Sequence, residues 1–161
     1  MPDHPLVVNS GPIIALSHVG RLAIIEKLYS QVSVPQAVCA ELEQGAHRPA
    51  SNFRTDAPWI TVLTPKSPPP PILPGFLGAG EIQVIQLGIE IPNALLMLDD
   101  ARARHAAEAL HLRTTGTAGI LVRAKNEGLL DRVVPLLEQM QTSGYFFSDR
   151  VIAAARQKAG E

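Results

Sequence analysis

Short apolar runs alternate along this chain with longer stretches in which apolar residues recur every three to four positions. That rhythm predicts strands interleaved with helices. Leu6-Val7-Val8 is a first apolar run, closed by Asn9-Ser10-Gly11-Pro12. Ser10 is of the type that caps a helix, and Pro12 suits a first turn. Ile13–Leu16 and Leu22–Leu28 follow as helical segments separated at Gly20. Gln31–Val34 reads as a second strand. Pro35 opens a helix with Val38 and Leu42 on its inner face, ending near Gly45. Trp59–Leu63 is a third strand, and a helix over about 80–90 places Ile82, Ile85 and Ile89 on one face.

Ala94-Leu95-Leu96-Met97-Leu98 is the clearest strand, and its unbroken apolar run predicts burial on both faces of a parallel sheet. Asp99-Asp100 ends it, and a helix from Ala101 to Leu110 follows. Leu112–Thr115 is a last strand. Gly116-Thr117 leads into a helix ending near Asn126, and Asp131–Met140 and Ser148–Lys158 complete the helices. The alternation predicts an α/β sandwich with right-handed crossovers. A chain of 161 residues fits one domain, 1–161, with a proline-rich loop at 65–74. That loop reads as a stiff spacer, or as a docking segment for an SH3-like partner.

Composition narrows the classes. The chain is 46% hydrophobic and 18% charged, as compact globular proteins are. Cys39 is the only cysteine, which excludes an intramolecular disulfide and a cysteine-built zinc site. The start carries no basic, apolar leader pattern, and no apolar run approaches the roughly 20 residues of a membrane helix. A cytoplasmic location is therefore expected. The net charge of −1 gives no overall pull on nucleic acid. Its distribution is uneven: residues 1–100 hold five Lys/Arg against nine Asp/Glu, and residues 101–161 hold nine against six. An acidic cation site and a basic phosphate-contacting surface fit this split, and so do ordinary solvated faces.

In open parallel sheets, ligands bind beyond the carboxyl ends of the strands. Asn9-Ser10 and Asp99-Asp100 leave the two most apolar strands there, and they share a crevice if those strands are neighbours. One aspartate of the pair suffices as a helix cap; the second then needs another role. Glu41 borders the buried face of its helix, following Ala37 and Val38, whereas Glu43 is rotated by about 200° toward water. Glu81 stands in a first turn, where a carboxylate also complements the helix dipole. Carboxylates gathered in one crevice repel one another without a counterion. An oxygen-only set suits Mg²⁺ or Mn²⁺, which polarise a phosphoryl oxygen and acidify a bound water.

Taken in order, Val7-Val8-Asn9-Ser10-Gly11-Pro12-Ile13-Ile14, Val34-Pro35-Gln36-Ala37-Val38-Cys39-Ala40-Glu41-Leu42, Gly78-Ala79-Gly80-Glu81, Leu98-Asp99-Asp100-Ala101-Arg102-Ala103-Arg104 and Thr115-Gly116-Thr117-Ala118-Gly119 resemble a PIN domain, and within that family the VapC-toxin-related subfamily. The resemblance runs from about Leu6 to Ala155. It implies a three-layer α/β/α sandwich with a mostly parallel sheet in the order 3-2-1-4-5. It also implies a metal-dependent endoribonuclease, often the toxin of a toxin–antitoxin pair and often a homodimer. The family's acidic positions match Asn9, Glu41, Glu81 and Asp100, with Asp99 adjacent. On this reading Asp100, Glu41 and Glu81 anchor Mg²⁺ or Mn²⁺, and Asp99 and Asn9 support it through water. Asn9 departs from the pattern: an amide oxygen can ligate a cation but brings no charge. A PIN-fold RNA- or protein-binding module with a weakened site is the alternative.

Ser10 and Thr117 sit at strand-to-helix turns, where they can touch phosphate or cap helices. Arg102 and Arg104 follow the acidic pair, where arginine can clamp an RNA phosphate or stand solvated. His105 and His111 have no partners at zinc spacing. Other classes fit poorly. The first turn reads Asn-Ser-Gly-Pro, not a dinucleotide-binding glycine fingerprint. The acidic pair follows the fourth strand, not the first as in a receiver domain, and no Gly-x-Ser-x-Gly elbow is present.

Overall fold

The computed structural model describes residues 4–45 and 49–161; residues 1–3 and 46–48 of the predicted 1–161 domain lie outside it. Among the described residues, five parallel strands form one sheet: β1 (Leu6–Val8), β2 (Val32–Pro35), β3 (Ile60–Leu63), β4 (Leu95–Met97) and β5 (Arg113–Thr115). Their order is β3-β2-β1-β4-β5, with Val8 opposite Met97 and Val7 opposite Ser33. The expected α/β sandwich and strand order are therefore present. Burial follows position in the sheet. Every residue of β1 and β2 is buried, whereas the edge strands β3 and β5 each carry an exposed residue.

Nine α-helices among the described residues flank the sheet: α1 (Ser10–His18), α2 (Ala23–Leu28), α3 (Gln36–Gln44), α4 (Phe53–Asp56), α5 (Ala79–Glu90), α6 (Ala101–Ala109), α7 (Thr117–Asn126), α8 (Val134–Thr142) and α9 (Asp149–Ala159). A 3₁₀ turn at Pro49–Asn52 and the short α4 were not expected from the pattern; Phe53, fully buried, anchors them to the core. Pro35 closes β2 instead of opening α3, because its fixed φ serves equally well just before a helix. The inner face of α5 also differs. Val84, Ile85, Leu87 and Gly88 are buried, Ile82 is partly covered and Ile89 is exposed. Gly88 decides this, since a Cβ there would lie 2.8 Å from the Leu96 side chain. Close helix–sheet contact at the glycine turns Ile89 outward.

The proline-rich loop is tied down. Glu90, in the last turn of α5, accepts hydrogen bonds from the Lys66 and Ser67 amides and, at 2.6 Å, from the Ser67 hydroxyl. These bonds hold its carboxyl below the usual range, the Ser67 hydroxyl contributing most.

Candidate active site

The strand order reverses between β1 and β4, and the crevice beyond their carboxyl ends is the expected binding place in such a sheet. The Asn9 backbone N–H donates to the Met97 carbonyl at 3.1 Å, which fixes the exit of β1 beside the exit of β4. A cavity of about 310 Å³ opens there, bordered by Asn9, Ser10, Glu41, Glu81, Asp99 and Asp100, with Tyr145 at its edge. Residues up to 136 positions apart in the chain thus border one space.

Each carboxylate is held differently. Glu41 accepts from the Ser10 hydroxyl at 2.9 Å and from the Gly80 amide at 3.1 Å. Gly80 is needed for that approach, because a Cβ at this position would stand 2.6 Å from Glu41 Oε1. Ser10 is accordingly the first residue of α1 and a partner of Glu41; it is not the helix cap that its residue type predicts. Glu81 folds back onto the Gly78 amide at 3.0 Å, the one half of a capping box that a glycine cap permits, leaving Oε2 free among the described residues. Asp100 caps α6, its Oδ1 accepting from the Arg102 and Ala103 amides at 2.8 and 3.1 Å.

Asp99 is the most tightly gripped. Its Oδ1 accepts from the Thr117 amide at 2.7 Å, and its Oδ2 accepts from both the Thr117 and Tyr145 hydroxyls at 2.6 Å. Burial, with Asp99 beside it, pushes the Tyr145 phenol well above its usual range, so it remains a donor. Sequence reasoning missed Tyr145. A tyrosine 46 residues beyond its carboxylate carries no local signal, and only the packing of the 145–148 segment brings it back. Arg104 donates through one terminal nitrogen to the Leu98 and Asp99 carbonyls, bracing the acidic turn. Arg102 is exposed, 3.9 Å from Asp100 and stacked 4.6 Å over the Phe76 ring.

Asn9 stands apart from these. It is buried, and its Oδ1 accepts no hydrogen bond among the described residues. An orphaned buried acceptor is costly, and the residue that carries it lines an acidic cavity. Its chemistry, with the surrounding carboxylate oxygens, fits a hard divalent cation. The carboxylates are not drawn tightly together: no group of three or more His, Cys, Asp or Glu among the described residues forms a ready-made metal cluster. Cation binding at this site therefore calls for free oxygens, such as Asn9 Oδ1, and for contacts through water.

A parallel α/β sheet with acids gathered at its switch point defines a nuclease-like fold. The family comparison agrees: a family model described as a PIN domain matches residues 5–161, and the chain belongs to the PIN-domain family. No curated protein matches the chain in sequence. Among the described residues, no helix is long and apolar enough to cross a membrane.

Proposed function

We propose that this chain is a metal-dependent endoribonuclease of PIN type, hydrolysing RNA phosphodiesters with Mg²⁺ or Mn²⁺. The observation that carries this reading is that Asn9, whose buried Oδ1 is orphaned, lines a cavity bordered by four carboxylates. Asn9 Oδ1, Glu81 Oε2 and Asp100 Oδ2 are oxygens that accept no hydrogen bond among the described residues, and they would hold the cation. Bound there, the ion supplies Lewis acidity to a phosphoryl oxygen and lowers the pKa of a water. Asp99, fixed by Thr117 and Tyr145, keeps the strand end in place, and Glu41 locks α1 against α5 through Ser10 and Gly80. The resemblance to VapC-related proteins extends the proposal to a cytoplasmic toxin, homodimeric and paired with an antitoxin protein.

A second reading has its own support. Asn9 removes one negative charge, and the acids form no preassembled cluster among the described residues. On that reading the fold binds RNA or a protein with little cleavage. Incubation of a single-stranded oligoribonucleotide with the protein and Mn²⁺ separates the two. Cleavage by the wild type, reduced about a hundredfold or more in Asp100→Asn, is the expected result. RNA binding without cleavage, indifferent to Mn²⁺, would establish the binding module instead.

A further inference from the structure

Phe146 is 81% exposed, an unusual position for a phenyl ring, which gains about 2 kcal/mol when buried. Its neighbours explain why it stays there. Tyr145 is tied to Asp99, and Phe147 is buried with its ring edge-on to Tyr145, centroids 5.2 Å apart. The two anchors hold the backbone on either side of Phe146, so its ring is presented and not free to fold inward. The ring lines a groove of about 480 Å³, a size typical of small-ligand pockets.

Asp99 and Asp100 border both this groove and the acidic cavity, so the two are contiguous. The groove wall is apolar, with Val122 from α7 and Val151 and Ala154 from α9, and it carries Arg102 and Lys158. Lys158 has no ion-pair partner among the described residues, and Arg102, exposed, makes a 3.9 Å contact to Asp100 and stacks on the Phe76 ring. An apolar slot with a presented aromatic ring, an unpaired lysine and an exposed arginine, opening onto the acidic cavity, has the makeup of a base-stacking platform.

We propose that this groove is a nucleobase subsite. In it the Phe146 ring stacks on an unpaired base of an RNA strand, and the flanking phosphates meet Lys158 and Arg102. The assignment of the strand as RNA rests on the nuclease reading above. Stacking on a ring in a slot requires a splayed base, so single strands are recognised and duplexes are not.

The test is fluorescence anisotropy of a labelled ten-nucleotide single-stranded RNA titrated with the full chain in EDTA. Phe146→Ala is expected to weaken binding roughly ten- to hundredfold, and Phe146→Trp to keep it within about threefold of wild type. A duplex of the same sequence is expected to bind weakly and equally to wild type and Phe146→Ala. Affinity of Phe146→Ala within twofold of wild type would overturn the subsite. So would unchanged RNA affinity together with wild-type self-association, read by sedimentation, that Phe146→Ala abolishes; that result makes the groove a protein interface. Cleavage with Mn²⁺ is scored separately. Cleavage with an unaffected Phe146→Ala affinity removes the subsite and keeps the nuclease. A Phe146-dependent affinity with no cleavage keeps the subsite and removes the nuclease.

Discussion

Asn9 places an amide where the resembled family carries an acid, and its orphaned oxygen concentrates the chemical question at one atom. Replacing it restores charge at a position bordered by four other carboxylates. Asn9→Asp is therefore expected to tighten Mn²⁺ binding by about tenfold or more, read by titration calorimetry, because cation affinity rises with the charge of the ligand set. The same change buries a carboxylate beside others, so the metal-free variant is expected to melt lower, with Mn²⁺ recovering the loss. Unchanged Mn²⁺ affinity would place residue 9 outside the site. Tyr145 illustrates the complementary case: its role depends on a partner 46 residues away, and neither residue type nor spacing points to it.

At the scale of elements, glycines decide how closely helices approach what they serve. Gly80, in the first turn of α5, makes room for Glu41 Oε1 and supplies the amide that holds it. The atom a Cβ would strike is the end of a flexible side chain, so it can move at small cost. Alanine is the better helix former by up to about 1 kcal/mol. Gly80→Ala is thus expected to leave the melting temperature equal or higher while displacing Glu41 and lowering Mn²⁺-dependent cleavage severalfold. A drop in stability with intact cleavage would contradict this placement. The expected inner face of α5 failed for a related reason. Periodicity assigns faces from apolar residues alone, whereas here Gly88 sets the contact against Leu96 and leaves Ile89 outside.

Across the whole molecule, Glu161 ties three helices together. Its buried carboxylate accepts from the Val133 and Val134 amides at the start of α8 and from Lys125 of α7, while it stands two residues beyond the last residue of α9. Burial by itself raises its pKa, but these donors outweigh it and lower the value to about 2 from an ordinary 4.5. A carboxyl depressed in the folded state contributes stability above its unfolded pKa and loses it as pH falls toward the folded one. Glu161→Gln is therefore expected to cost about 1–3 kcal/mol at pH 7, the difference shrinking between pH 4.5 and 2. Urea melts of the two proteins across that window check it; a pH-independent difference would show that charge is not the cause.

Strand positions, the parallel sheet and the acidic residues could be read from the chain. Continuous apolar runs such as Leu95–Leu98 need burial on both faces, and polar residues that end them can only lie at the sheet's rim. Which oxygens are free was not legible, because hydrogen-bond partners such as Ser10 with Glu41, or Tyr145 with Asp99, are distant in the chain. Nor was the groove beside Phe146, which exists only where α7, α9 and the 145–148 segment meet. Local pattern determined the elements and their order, since it reflects which faces must leave water. Asp100 and Glu81 take partners two or three residues away, but tertiary packing alone decided those of Glu41 and Asp99 and left Asn9 Oδ1 with none among the described residues.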